Sequence, residues 1–300
     1  EREKAALFSS TPILLGHVSM LPNPGDVFTH DLLGKPIMVV KAEDGAVRAF
    51  LNVCRHRGVR LVNAPDTINK KTFVCPYHNW TYKLNGDLKH VPLEEESFKD
   101  LNKRCLGLKE LPLAICEGLI FVCPDPDGEV DLDKHIGSVD ADFAAFRISE
   151  HHFFRQTETV VKSNWKLLIE AFQDGYHITR LHRKTVGPSF IDGVSRSERN
   201  CDNLLSVIAR KEFDQALELQ REDWDLRKHA SCAMYIFPNV VLIIHPDDVR
   251  YLALFPTAVD ETIVVHGCFI EELPTNDKAR AHWDRAFDIV ENGVFGPEDF

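Results

Sequence analysis

Apolar and polar residues alternate at period two through the first part of the chain, up to about residue 125. Pro36-Ile-Met-Val-Val40 and Val47-Arg-Ala-Phe-Leu51 flank Asp44-Gly45, which predicts a hairpin closed by a tight turn. The device recurs at Tyr82-Lys-Leu84, Asn85-Gly86 and Asp87-Leu88. Short strands and turns of this kind predict a mainly antiparallel β amino-terminal half. The turn-rich Pro124-Asp-Pro-Asp-Gly-Glu129 then marks the expected boundary between a domain at 1–128 and another at 129–300.

Beyond the boundary the period changes. Helices are expected at about 130–146 and 163–177, strands between about 203 and 270, and a closing helix whose stripe is Ala279, Trp283, Ala286, Phe287 and Val290. Thr275-Asn-Asp277 supplies its cap and Gly293 its stop, and Gly296-Pro297-Glu298-Asp299 reads as the first turn of a further helix. Val240-Val-Leu-Ile-Ile244 is a buried strand by length. No apolar run reaches the roughly 20 residues that cross a bilayer.

Bulk properties narrow the picture a little. At 300 residues, 44% hydrophobic and 27% charged, the chain suits two soluble domains. A net charge of -11 argues against wrapping nucleic acid, which needs a basic footprint, and is compatible with docking a redox partner. Glu1-Arg-Glu-Lys-Ala-Ala carries no secretory pattern, so a cytoplasmic protein is expected. Six cysteines, Cys105, Cys116, Cys123, Cys201, Cys232 and Cys268, lack a framework spacing and are expected as buried free thiols.

The chemistry begins at the other two cysteines. Cys54-Arg-His56 is followed, after eighteen residues, by Cys75-Pro-Tyr-His78. Two thiolates on one iron and two imidazoles on the other make a [2Fe-2S] cluster of raised potential. Tetrahedral zinc also takes two Cys and two His, yet its motifs usually group like with like, whereas each loop here carries one of each. A second pattern, Asp174, His177 and His182, reads D-x-x-H-x-x-x-x-H. Two imidazoles and a carboxylate on one face of Fe(II) leave positions open for oxygen. Residues five apart are about 140° apart around a regular helix, so one ion can be chelated by His177 and His182 only through a π-bulge or an unwound turn. By itself the pattern equally describes polar residues on a helix and its exit loop. No G-x-G-x-x-G occurs, so electrons must come from a separate reductase or ferredoxin.

Together these motifs resemble those of the Rieske non-haem iron oxygenases. The resemblance rests on Asn52-Val-Cys-Arg-His-Arg-Gly58, on Cys75 to Tyr82, and on Asn164-Trp-Lys with Glu170, Phe172, Asp174, Tyr176-His177 and His182, in the family's order. It implies an α+β fold, an antiparallel-β Rieske [2Fe-2S] domain followed by a helix-grip (START/Bet v1-like) catalytic domain. It implies Cys54, His56, Cys75 and His78 as cluster ligands, His177 and His182 as ligands of a mononuclear Fe(II), and Asp299 as the third, ahead of the adjacent Glu298. Asp174 would accept hydrogen bonds from His177 and from a cluster histidine of a neighbouring subunit, joining the two centres.

The resemblance further implies the terminal oxygenase component, an α-subunit that hydroxylates a small aromatic substrate with O2. Electrons would come from NAD(P)H through a separate reductase, and the working unit would be a homotrimer, with or without a small β-subunit. An N- or O-demethylating monooxygenase is the alternative within the family. A Rieske electron carrier fused to a ligand-binding domain, with His177 and His182 facing apart, and a zinc-stabilised binding module are the alternatives outside it. Ala171 and Asn79 depart from the family, which often has Asn and Gly there, and the family normally continues through a further helix after Asp299. Phe237, Leu242, Leu252 and Phe255 are the expected pocket residues. Trp80 and Tyr82 are expected beneath the cluster loop, His245 in a turn, His151-His152 on the solvated surface, and Arg196 and Arg199 in an exposed loop.

Overall fold

Ile37–Lys41 pairs with Val47–Leu51 in the predicted hairpin, from Ile37 opposite Leu51 to Lys41 opposite Val47. Gly45 takes φ +82° at the turn, a conformation glycine adopts without strain. In the computed structural model, which describes residues 2–300, the chain divides into two compact units between Asp131 and Leu132.

The hairpin is the centre of a five-stranded sheet ordered Ile68–Asn69, Asp26–His30, Ile37–Lys41, Val47–Leu51, Glu110–Leu111. Met38, Val40 and Phe50 alternate into a core that also holds Phe73, Trp80, Tyr82, Cys54 and Cys75. Phe73–Val74, Thr81–Tyr82 and Leu88–His90 form a three-stranded sheet, and the loop between its first two strands carries Cys75 and His78. Burying Cys54 and Cys75 in the same core as these aromatics fixes the bases of both loops.

The second unit is built on one seven-stranded antiparallel sheet. Its order is His152–Val161, Glu261–Ile270, Asp248–Ala258, Val240–Ile244, Ala230–Ile236, Asn203–Arg210, Phe190–Asn200. Trp165–Gln173 packs across three central strands through its buried face of Trp165, Leu168 and Ile169. Asn164 starts that helix by accepting from the Lys166 N–H at 3.0 Å. Asp277–Ile289 lays Phe287, wholly buried, on Cys268 and Ile270 of the sheet.

Several expectations are corrected. The helix expected at 130–146 is two, Leu132–Ile136 and Val139–Ala145, separated where Gly137 turns to φ +57°. Arg196 and Arg199 lie on the edge strand Phe190–Asn200, exposed but not in a loop; its polar outer residues hid the strand. Gly293 does not stop the closing helix, because it does not take the left-handed conformation of a helix stop. The helix widens instead into a π-helical segment, Val290–Asp299, and Gly296-Pro297-Glu298-Asp299 is its end, not a new beginning. His151 is buried, its Nδ1 2.8 Å from the Arg147 carbonyl and its Nε2 3.2 Å from Arg227, while His152 is exposed. Cys105 and Cys201 are exposed, against the expected burial. No helix among the described residues is long and apolar enough to cross a membrane.

Candidate metal centres

The two cysteine-histidine loops are copies of one backbone design. The Cys54 N–H donates to the carbonyl of Val59 and its carbonyl accepts from Gly58; the Cys75 N–H donates to Trp80 and its carbonyl accepts from Asn79. In each loop the residue four after the cysteine is left-handed, Gly58 at φ +71° and Asn79 at φ +57°. Asparagine tolerates that region best among the other residues, which accounts for Asn79 at a position made for glycine.

Side chains complete the site. Cys54 and Cys75 are each 2% exposed, whereas His56 is half-buried and His78 exposed. The imidazoles lie side by side, ring centres 4.8 Å apart, and His56 stacks on Trp80 at 4.8 Å and 8°. Tyr82 supports the loop from beneath, its hydroxyl 3.3 Å from the Cys54 sulfur and accepting from the Arg55 N–H at 3.0 Å. Burial pushes both the Cys54 thiol and the Tyr82 phenol up. Two sulfurs inside and two imidazoles outside are the donor set, in the order from core to surface, that a cluster of mixed ligation takes.

The second site forms where the helix fails. Trp165–Gln173 ends at Asp174, whose backbone is extended (φ −90°, ψ 93°), and a single turn, Ile178–Leu181, follows with His177 and His182 as its flanking residues. The turn between the pair is itself α-helical, the Leu181 N–H donating to the His177 carbonyl at 2.8 Å and the His182 N–H to Ile178 at 3.1 Å, so the expected π-bulge or unwound turn is absent. The two rings nonetheless lie 5.1 Å apart, reaching across that turn from its two ends.

Asp299 arrives from the π-helical segment. Its Oδ1 is 3.3 Å from His182 Nε2 and 3.8 Å from His177 Nε2, and one ligand atom from each of the three residues lies within 4.8 Å of the others. Glu298 does something else: its Oε2 accepts from His182 Nδ1 at 2.7 Å and from Thr185 Oγ1 at 2.7 Å. That bond leaves Nε2 of His182 to face Asp299 and any metal. Burial alone would lower the His182 pKa, but hydrogen bonds that its ring donates to Asp299 and Glu298 raise it above its ordinary value. The His182 and Thr185 bonds hold Glu298 low. Two imidazoles and one carboxylate, converging and mostly buried, fit a ferrous ion with open positions.

Asp174 differs from expectation. It is exposed, and its Oδ1 accepts from the Tyr176 N–H at 2.9 Å; a bond to His177 is not among its contacts in the described residues.

A cavity of about 150 Å³ adjoins His177, His182 and Asp299. Phe172, Ile178, Ile208, Ile243, Val294 and Phe295 give it apolar walls, and Arg210, Ser231 and His245 also reach it. None of Phe237, Leu242, Leu252 and Phe255 lines it. Strand alternation explains this: Leu242 and Phe255 point away from the face that carries Ile243, and Leu252 is on the Ile243 face but sits further along, paired with Val241. Phe237 belongs to a turn, its ring near that of His135. His245 lies in the turn after strand Val240–Ile244, as expected, and also reaches the cavity wall.

Two domain families match the chain: the Rieske [2Fe-2S] domain over residues 11–112, and the ring-hydroxylating alpha subunit catalytic domain over residues 146–300. The chain belongs to the ring-hydroxylating α-subunits. It is similar to the large oxygenase component of a naphthalene 1,2-dioxygenase system from Ralstonia sp., 38% identical over 194 residues, 62% of this chain and 42% of that protein. The α-subunit of biphenyl 2,3-dioxygenase from Rhodococcus jostii (strain RHA1) is 36% identical over 211 residues, 66% of this chain and 44% of that protein. The chain thus spans less than half the length of these relatives.

Solved structures share the fold. A quaternary ammonium Rieske monooxygenase, CntA, superposes with a TM-score of 0.84 at 20% identity, over 99% of this chain and 78% of that one. Naphthalene 1,2-dioxygenase from Rhodococcus sp. superposes at 0.79 with 22% identity, over 96% and 74%. Membership of the α-subunits carries with it a [2Fe-2S] cluster and a mononuclear iron, for which the two donor sets above are suited. What motif reading missed in this α-subunit is the support: Glu298 and Thr185 behind His182, and the polar end of the cavity. Glu298 was visible beside Asp299, but only the fold shows which carboxylate meets which ring nitrogen.

Proposed function

We propose that this α-subunit is the oxygenase component of a multicomponent system that hydroxylates a small aromatic substrate with O2. The observation that carries the reading is the convergence of His177, His182 and Asp299 beside an apolar cavity, in a chain that also builds a mixed Cys/His loop pair. When bound, the mononuclear iron would supply open coordination positions and the cluster would supply single electrons. His177, His182 and Asp299 would hold that iron, and Cys54, His56, Cys75 and His78 the cluster.

The protein's own part is positional. Glu298 holds the His182 ring by its Nδ1, and Thr185 holds Glu298, so the ligand atom is aimed before metal enters. The apolar walls keep water from the reacting ring and leave it against the ligand face. Asp174, exposed at the end of the motif helix, is free to meet a cluster histidine of a neighbouring subunit in a homotrimer. A separate NAD(P)H-dependent reductase, directly or through a ferredoxin, would charge the cluster, in the cytoplasm. A small β-subunit is compatible with this organisation.

Iron and acid-labile sulfide counting with a visible spectrum tests the reading. About three irons per chain, two in a cluster and one in the facial site, are expected. About two would make the chain a carrier, and a colourless zinc protein would overturn the reading altogether. Turnover of an aromatic panel with a surrogate reductase under labelled O2 then shows whether one or two oxygen atoms enter the product, or whether demethylation occurs instead.

A further inference from the structure

One end of the cavity is polar and cationic. Arg210 closes strand Asn203–Arg210, Ser231 lies opposite Ile208 on the neighbouring strand, and His245 follows directly on the next strand, Val240–Ile244. Three adjacent strands thus deliver Arg210, Ser231 and His245 to one end of the wall. The Arg210 guanidinium lies 5.7 Å over the Phe190 ring, also a wall residue. Its Nε is sealed from solvent without a hydrogen bond, and the Glu212 carboxylate, about half exposed, meets it only as a 3.5 Å ion pair. His245 Nδ1 and Ser231 Oγ are 3.2 Å apart, and burial holds the His245 pKa below its ordinary value. Asp299 is the one carboxylate on the wall among the described residues, and it is engaged with His182 and His177.

We propose that the cavity selects a one-ring aromatic carboxylate, its acid group on Arg210 with Ser231 and His245 beside it and its ring held by the apolar walls towards His177, His182 and Asp299. This deepens the oxygenase reading and rests on it. A half-buried guanidinium whose Nε makes no hydrogen bond and whose ion pair to Glu212 is long at 3.5 Å gains most from a carboxylate, whose two oxygens match its planar fork. A quaternary ammonium in the same place meets a like charge. A hydrocarbon leaves the guanidinium as it was. The volume suits a single ring, since an apolar cavity of about 150 Å³ takes up benzene.

Calorimetric binding of benzoate, benzamide and benzyltrimethylammonium to the iron-loaded protein and to the chelated protein decides the matter. Benzoate is expected to bind about tenfold or more tighter than its neutral isostere, with the ammonium weakest, the size of a hydrogen bond to a charged group. Arg210→Gln should erase that preference while benzamide binding persists, and Arg210→Lys should keep part of it. Equal affinities for benzoate and benzamide overturn the proposal, as does a preference that survives in Arg210→Gln. A preference that disappears on chelation also overturns it, because the carboxylate was then on the metal. Should Arg210→Gln not fold, the wild-type ratio and Arg210→Lys decide. Metal analysis is a separate readout: a protein without mononuclear iron sinks the oxygenase reading while the benzoate preference can still be measured.

Discussion

At the scale of single residues, Asn79 and Glu298 show how much a site owes to side chains that bind nothing. Asn79 holds a left-handed backbone position equivalent to that of Gly58 in the sister loop. Asn79→Gly is therefore expected to leave the cluster loop unchanged, whereas Asn79→Ala should cost about 1–2 kcal/mol of steric strain, read as a lower thermal midpoint and faster loss of visible absorbance. Glu298 fixes one imidazole. Glu298→Gln should weaken iron retention about 10–100-fold at the mononuclear site, measured by competition with a chelator, with the cluster spectrum unaltered. If iron retention is unchanged, the 2.7 Å bond to His182 is not what aims that ring.

Among elements, the π-helical segment Val290–Asp299 has the largest responsibility, since it delivers Asp299. Glu291 ties it to the sheet: one oxygen lies 2.6 Å from His266 Nδ1 and the other accepts from Thr159 at 3.2 Å, while His266 stacks on Phe287. The His266 bond holds Glu291 below the usual carboxylate range. Burial, reinforced by the Arg250 charge and opposed by Glu291 and Asp248, holds His266 below the usual imidazole range. Both groups take up protons less readily folded than unfolded, so their stabilisation is complete above about pH 6.5, the unfolded imidazole value. It is lost as pH falls below that, first through His266 and then through Glu291. Glu291→Gln should remove the carboxylate part of this acid loss and cost about 1–3 kcal/mol at neutral pH, seen in denaturant melts across pH, and iron retention should fall with it.

The same element marks what could be read in advance. Hairpins and the paired Cys/His loops were legible because turns and motifs are local. The cavity was not, because a one-residue step from Leu242 to Ile243 reverses the face, and the face depends on pairing with distant strands. Edge strand Phe190–Asn200 escaped for the opposite reason: with polar residues on both faces it has no alternation to read. Asp299 was found by its motif, while the π-helical path that brings it to the histidines left no pattern.

For the whole molecule, two compact units each carry one donor set. The proposed route between them crosses to another chain through Asp174, which makes catalysis depend on assembly. Asp174→Asn should leave both metals in place and cluster reduction normal, while product formation falls about 10–100-fold, resolved by single-turnover kinetics with the cluster reduced beforehand. Unchanged turnover would remove Asp174 from the path.

The Glu298-Asp299 pair has a thermodynamic consequence of its own. Consecutive residues meet opposite edges of the His182 ring, so the π-helical segment is clasped to the turn that follows the motif helix. A ligand that prefers this closed arrangement draws the folding equilibrium with it, by about 2.7 kcal/mol at a hundredfold excess over its dissociation constant. Ferrous iron should act as a fastener for the second unit alone. In calorimetry, chelating that iron should lower one melting transition and leave the cluster unit's transition where it was; a shift of both together would mean that the two units unfold as one.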